Sequence, residues 1–218
     1  MVATLHPSSS ITLHPPLVIP PGEFDAYIFD CDGTIANSMP LHFAAWCEEL
    51  SRHGVDFSEQ LFYDWAGIPV EDIIRRLNSM HNLKLEPKVL AQSKEVHFKK
   101  LLPKLEPIAS VVQQIHLHHG KKPLAVASGS HRETVITTLK SLGLLEKFDI
   151  LVGAEDYKNG KPAPDAFLKA AAQMGVKPER CLVFEDAKLG IQAAEAAGMK
   201  WVFVPRVPLS EQIKILHE

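Results

Sequence analysis

The chain has 218 residues, 46% of them apolar and 22% charged, a composition that suits one or two globular domains with a real core. A formal charge of −3 leaves no basic excess to displace counterions from nucleic acid, and no run of 18 apolar residues offers a membrane span. Three cysteines (Cys31, Cys47 and Cys181) without CxxC spacing argue against a disulfide framework or a zinc site, and fit a reducing cytoplasm.

Residues 1–24 are rich in Pro and Ser and lack the basic start and unbroken apolar stretch of a signal peptide. Pro15, Pro16, Pro20 and Pro21 favour an extended arm, read as a surface tail rather than a partner-binding element. The stretch DAYIFD, 25–30, then reads as a short buried strand. It ends on an acid, Asp30, and a second acid, Asp32, follows after one small residue. Gly33 behind them permits a tight turn. Cys31 is read as a small core residue rather than a nucleophile.

From Pro40 to about Leu102 the pattern is helical. Leu41, Ala44, Ala45 and Leu50 recur on one helix face, with Gly54 placed to end it. Further helices are predicted at 70–80 and 87–102, and no strand is expected in this block. Arg75 and Arg76 read as solvated helix charges.

After Pro107 short apolar strands alternate with helices of about a dozen residues. ASVVQQIHLHHG is a helix, PLAVAS a strand, and SHRETVITTLKSLG a helix whose Ser130-x-x-Glu133 reads as a capping box. Within the first of these, the histidines of HLHHG lack an acid or cysteine to complete a metal site. FDILVG, RCLVFED and KWVFVP are strands, separated by the helices APDAFLKAAAQMG and AKLGIQAAEAAG. This alternation implies an α/β core, 25–37 and 103–218, with a parallel sheet covered on both faces and interrupted by an all-helical insert, 38–102.

In an open parallel sheet, ligands sit beyond the carboxyl ends of the strands. Asp30, Ser128 and the Glu185-Asp186 pair end strands, and Lys161 lies in the loop after another. Groups from four separate places in the sequence are therefore predicted to face one crevice. Asp30, Asp32 and Asp186 together make a hard-oxygen site. Mg²⁺ suits such a site, because it takes carboxylates, water and phosphate in near-octahedral geometry. The cation also relieves repulsion among the acids. Calcium fits less well, since no dense acidic loop is present.

These motifs, in this order, resemble the haloacid dehalogenase superfamily of aspartate-nucleophile phosphotransferases. DCDGT at 30–34 matches its first motif, Ser128 in VASGS its second, Lys161 in GKPAPD its third and Glu185-Asp186 in VFEDAKLGIQAA its fourth. The resemblance covers nearly all of the chain after Phe24. It implies a Rossmann-like core with the helical insert as a cap. The insert, KPAPDAF and FEDAKLGIQAAEAAGM are similar to the β-phosphoglucomutase-like branch, and within it to sugar-phosphate phosphatases.

The resemblance implies roles for individual residues. Asp30 attacks phosphorus and forms an aspartyl-phosphate, while Mg²⁺, Lys161 and the Ser128 hydroxyl offset charge on the phosphoryl oxygens. Asp32 supplies a main-chain carbonyl to the metal and uses its side chain as general acid and base. Asp186 is a direct metal ligand; Glu185 holds a metal-bound water or a more distant contact. Backbone N–H groups of Gly33 and Gly129 are expected to bind phosphate, and Thr34 to hydrogen-bond in the turn. His42 and the WAGIPVED loop, 65–72, are the cap candidates for substrate choice, with hinges near Asn37 and Leu102.

The expected activity is Mg²⁺-dependent hydrolysis of a small sugar or polyol phosphate by a cytoplasmic enzyme. Expected partners are that substrate and no nucleic acid or membrane, with the chain a monomer or weak homodimer. One alternative is a hexose phosphomutase. The mutases place a basic residue after the cap glycine, whereas Gly67 here precedes Ile-Pro-Val. Another is a silent binding protein, against which the intact acids and Lys161 count.

Overall fold

The computed structural model describes residues 16–66 and 68–206. Its centre is a parallel sheet of β1 (Ala26–Phe29), β2 (Leu124–Ala127), β3 (Ile150–Val152), β4 (Cys181–Glu185) and β5 (Lys200–Phe203), in the order β3-β2-β1-β4-β5. β1 lies in the middle, pairing Tyr27 with Leu124 of β2 and Ile28 with Val183 of β4. The chain order reverses across β1, so β1 carries its last residues to the switch point where such sheets bind ligands.

The period of two along each strand divides the core into two layers. Tyr27, Phe29, Val126 and Phe184 face α5 (Ala109–His118) and α6 (Arg132–Ser141), packing with Ile115 and Leu139. Ala26, Ile28, Ala125 and Val183 face α7 (Asp165–Met174) and α8 (Lys188–Ala196), packing with Phe167, Ala170 and Ala193. Small side chains on this second face let the helices approach closely. Strands buried on both faces explain why their sequences are nearly continuous apolar runs.

Between β1 and α5 lies a helical block: α1 (Met39–Ser51), α2 (Glu59–Asp64), α3 (Val70–His81) and α4 (Pro87–Leu101). Its interior is its own, built on Trp46, Leu50, Phe57, Phe62, Ile74 and Leu77, with Ala187 from the β4–α8 turn touching it. α2 is absent from the sequence reading. At six residues it is too short to show a period, and it is held by the Ser58 hydroxyl, which accepts from Leu61 N–H at 3.2 Å.

The predicted capping box at α6 does not form. The N-cap is His131, and the first helical N–H, of Arg132, donates to the Glu155 carboxylate. The Ser130 hydroxyl is engaged elsewhere. The stretch HLHHG ends α5, where His118 stacks on Tyr27 at 3.9 Å between centroids. Of the N-terminal arm, 1–15 lie outside the described residues; 16–22 run without helix or strand, and Lys200 Nζ donates to Pro21 O at 2.6 Å. Among the described residues no helix is long and apolar enough to cross a membrane.

Candidate active site

Asp30 emerges from the end of β1 into a crevice floored by the turn 31–36. That turn closes on Cys31 O, which accepts from Ile35 and Ala36 N–H, both at 3.0 Å. Gly33 stands in it at φ +84°, a conformation that side chains resist. Glycine is required here for space as well. A Cβ at this position would overlap the Asp186 carboxyl group, lying 2.7 Å from its Cγ.

Asp30, Glu185 and Asp186 bring carboxylate oxygens within 4.8 Å of one another, and all three are buried. Lys161 reaches the same place from the loop after β3. Its Nζ is 2.6 Å from Asp30 Oδ1 and 2.6 Å from Glu185 Oε2. The other Glu185 oxygen accepts from Asp186 N–H at 3.1 Å and Ala187 N–H at 2.9 Å. Glu185 therefore orients Lys161, and it stands with Asp30 and Asp186 in the same acid cluster. Gly190 makes this packing feasible, because a Cβ there would collide with the Glu185 carboxyl group.

Burial, and Glu185 after it, push Asp30 well above the carboxylate range, with Lys161 pulling the other way. Burial and Glu185 likewise push Asp186 up to about 7, against Arg206 and Lys161. Lys161 is held protonated: burial disfavours its charge, but Asp30 and Glu185 outweigh that. The cluster is thus short of positive charge. One oxygen, Asp186 Oδ2, is buried without a hydrogen bond, though Arg206 Nε lies 3.1 Å from it. A hard divalent cation fits this donor set, with Asp30 and Asp186 as the carboxylates that would hold it and Glu185 beside them.

Asp32 is two residues from Asp30, yet its side chain turns to a different environment. Ser38 Oγ donates to Oδ1 at 2.7 Å, His42 Nε2 lies 2.9 Å from the same oxygen, and Ser130 Oγ donates to Oδ2 at 2.7 Å. Burial pushes its pKa up, but the attraction of His42 and these hydrogen bonds outweigh it. They hold the carboxyl well below the usual carboxylate range. The Asp32 side chain is thereby removed from the cation cluster, leaving only its main chain for the metal-ligand role expected of it. Ser38 and Ser130 each stand at a helix start and cap neither helix, because both hydroxyls serve Asp32.

Other predicted site residues fall as follows. The Ser128 hydroxyl, at the end of β2, accepts from Ser130 N–H at 3.0 Å, and Ser128 and Gly129 both line the crevice. The Gly33 N–H, expected to bind phosphate, donates to Ala36 O at 2.8 Å within the turn, and the absent side chain makes room for Asp186. Thr34, expected to hydrogen-bond in the turn, is fully buried and donates to Asp186 Oδ1 at 3.3 Å, orienting that acid.

The helical block roofs the crevice. Trp46, Phe62, Trp65, Ile68 and Ile73 make an apolar wall, and His42 and Lys94 are the polar groups set into it. His42 stacks on Phe98 at 3.9 Å between centroids, and Lys94 Nζ lies 2.7 Å from His42 Nδ1. Lys94 was not singled out in the sequence. The available signal was its spacing: it falls between Leu90 and Phe98 on the buried stripe of α4, where a lysine is out of place. Ser38, Ser130 and Arg206 were missed as well, with only the predicted cap at Ser130 marking any of them.

Residues 27–204 match the family described as haloacid dehalogenase-like hydrolase. The chain is 42% identical over 178 residues to the fructose-1-phosphate phosphatase YqaB of Escherichia coli (strain K12), covering 81% of this chain and 94% of that one. It is 28% identical over 183 residues to a phosphorylated carbohydrates phosphatase of Thermotoga maritima, covering 82% and 84%. Among solved structures, a β-phosphoglucomutase from Clostridium difficile superposes with a TM-score of 0.73 at 26% identity, covering 82% of this chain and 83% of that one. The sheet, the crevice and these matches together define an α/β hydrolytic enzyme. The chain belongs to the haloacid dehalogenase-like hydrolases.

Proposed function

We propose that the protein is a Mg²⁺-dependent phosphatase that hydrolyses a small sugar or polyol phosphate through an aspartyl-phosphate on Asp30. The observation that carries this reading is the division between the two neighbouring aspartates. Asp30 shares its surroundings with Lys161 and Asp186, as a nucleophile aimed at an anion requires. Asp32 sits on a separate network of His42, Ser38 and Ser130, as a proton carrier requires.

In this account Asp30 attacks phosphorus in line while Lys161 and the Ser128 hydroxyl bear on the phosphoryl oxygens. Asp30, Asp186 and the Asp32 main chain would hold the cation, which would supply charge neutralisation on phosphate. Asp32 passes a proton to the leaving oxygen and later takes one from the attacking water. Residues 25–37 and 103–218 act as the core and 38–102 as a cap that closes over the reaction and excludes water. The apolar wall on that cap suits the carbon skeleton of a sugar, and His42 and Lys94 suit one hydroxyl or the bridging oxygen. The name of the E. coli relative supports a phosphorylated sugar as substrate. Free cysteines at positions 31, 47 and 181 support a cytoplasmic setting.

The phosphomutase alternative needs a cationic anchor for a second phosphate. On the roof of the crevice, Lys94 is the cation among the described lining residues, and it is already engaged with His42. Arg75 is paired outside with Glu71 and Asp72, and Arg76 lies over the Trp65 ring. Gly67, the cap glycine of that comparison, lies outside the described residues. The deciding experiment is phosphorus NMR of the protein with Mg²⁺ and either fructose 1-phosphate or β-glucose 1-phosphate plus a bisphosphate primer. Free phosphate is expected from the monophosphates. Conversion to glucose 6-phosphate with little free phosphate would replace the phosphatase reading with the mutase one.

A further inference from the structure

Beyond β5 the chain brings Arg206 against Asp186. Its Nε and Nη2 donate to the main-chain carbonyl of Asp186 at 3.2 and 2.9 Å, and Nε lies 3.1 Å from Asp186 Oδ2. The other side of the same guanidinium covers the Tyr63 ring, with Cζ 4.6 Å from its centroid. Tyr63 belongs to α2, and Phe62, Trp65 and Ala66 beside it form part of the pocket wall. One side chain therefore touches both the acid cluster of the core and the roof of the helical block.

We propose that Arg206 is a positioning residue, a latch that holds α2 and its pocket wall in register with Asp186. This rests on the phosphatase reading only in taking Asp186 as part of the reacting centre. The chemistry of the group suits the task. A planar guanidinium can hydrogen-bond in its plane while its face stacks on an aromatic ring, which a lysine ammonium cannot do. Its hydrogen bonds go to the Asp186 main chain, and its Nε also pairs with Asp186 Oδ2, so the guanidinium fixes both the backbone and the side chain of that acid. The Tyr63 stack joins Arg206 to the helical block and is the contact to test.

The experiment is hydrogen–deuterium exchange on the full chain, without added metal, for the parent and for Arg206→Ala, Arg206→Lys, Tyr63→Leu, Tyr63→Phe and the double variant Arg206→Ala/Tyr63→Leu. Arg206→Ala and Tyr63→Leu are each expected to raise exchange in α2 on the order of threefold to tenfold, the scale of a partly desolvated cation–π contact. The double variant should rise no further, since both changes remove one contact. Tyr63→Phe keeps the ring and should behave as the parent; Arg206→Lys should behave as the alanine variant. Exchange in α7, which packs on β1 to β3 of the sheet, should not move, which separates a latch from general loss of fold. In turnover of fructose 1-phosphate, Tyr63→Leu should raise KM severalfold with kcat nearly unchanged. Unaltered exchange in α2 for Arg206→Ala, or additive effects in the double variant, would overturn the latch. Absence of any turnover by the parent would instead count against the phosphatase reading and leave the exchange result standing.

Discussion

His42 Nε2 lies 2.9 Å from Asp32 Oδ1, and the opposite ring nitrogen, Nδ1, lies 2.7 Å from Lys94 Nζ. A charged lysine has only donors, so with Lys94 protonated Nδ1 must accept and Nε2 must carry the hydrogen given to Asp32. The imidazole thus joins a buried ammonium to the acid that handles the proton in the proposed reaction.

His42→Ala is accordingly expected to lower kcat by about 10²-fold, the scale of general acid–base loss. Combined with Asp32→Asn it should add little, because the two residues act as one unit. Steady-state kinetics on both single variants and the double variant check this. Multiplying losses would separate His42 from Asp32.

Asp32→Asn keeps the size of the side chain and removes its proton chemistry. Turnover should fall by about 10²-fold or more while phosphate affinity stays close to the parent's. Inhibition by inorganic phosphate, measured beside kcat, makes the comparison. Unchanged kcat in this variant would remove Asp32 from the proton transfer.

Lys94 gives a pH signature. Burial lowers its pKa in the folded protein, partly against Glu95 and Asp32. Unfolded, a lysine titrates near 10.4 (roughly the free value). Between the two pKa values the unfolded chain holds a proton that the folded chain lacks, so stability rises with pH across that window. Lys94→Met removes this slope. Urea unfolding at neutral pH and near pH 10 should therefore show the parent gaining on the variant as pH rises. A constant difference between them would mean that Lys94 titrates alike in both states.

Gly33→Ala should destabilise the protein by about 1–3 kcal/mol, the scale of a non-glycine residue forced into a positive-φ position, with the clash against Asp186 added. Mg²⁺ should then protect this variant from thermal unfolding less than it protects the parent, since protection requires the folded site to bind. Thermal denaturation with and without Mg²⁺ gives both numbers. Equal protection of the two proteins would show that Asp186 keeps its place despite the added methyl group.

Much of this arrangement was legible in the sequence because it lies on long-period patterns. The strands are short apolar runs that end in Asp30, Ser128 and Glu185, and parallel order alone carries those ends to one edge. What stayed hidden was the direction of particular side chains. Ser130 has the spacing of a helix cap but bonds to Asp32, a partner 98 residues away that local pattern cannot supply. Gly33 has the look of a phosphate-binding turn, yet its N–H closes on Ala36 and its missing side chain is what admits Asp186. Lys94 and Arg206 owe their places to the packing of the helical block on the core, and that packing is set by contacts distant in the chain.

The central claim is that Asp30 bonds to phosphorus. Acid-quenching the enzyme during turnover of fructose 1-phosphate with Mg²⁺, followed by peptide mass analysis, tests it most directly. The peptide containing 27–34 is expected to carry the mass of one phosphoryl group on Asp30, and Asp30→Asn to carry none and to turn over no substrate. Turnover by the Asp30→Asn variant at the parental rate, with no adduct on the parent, would contradict the account.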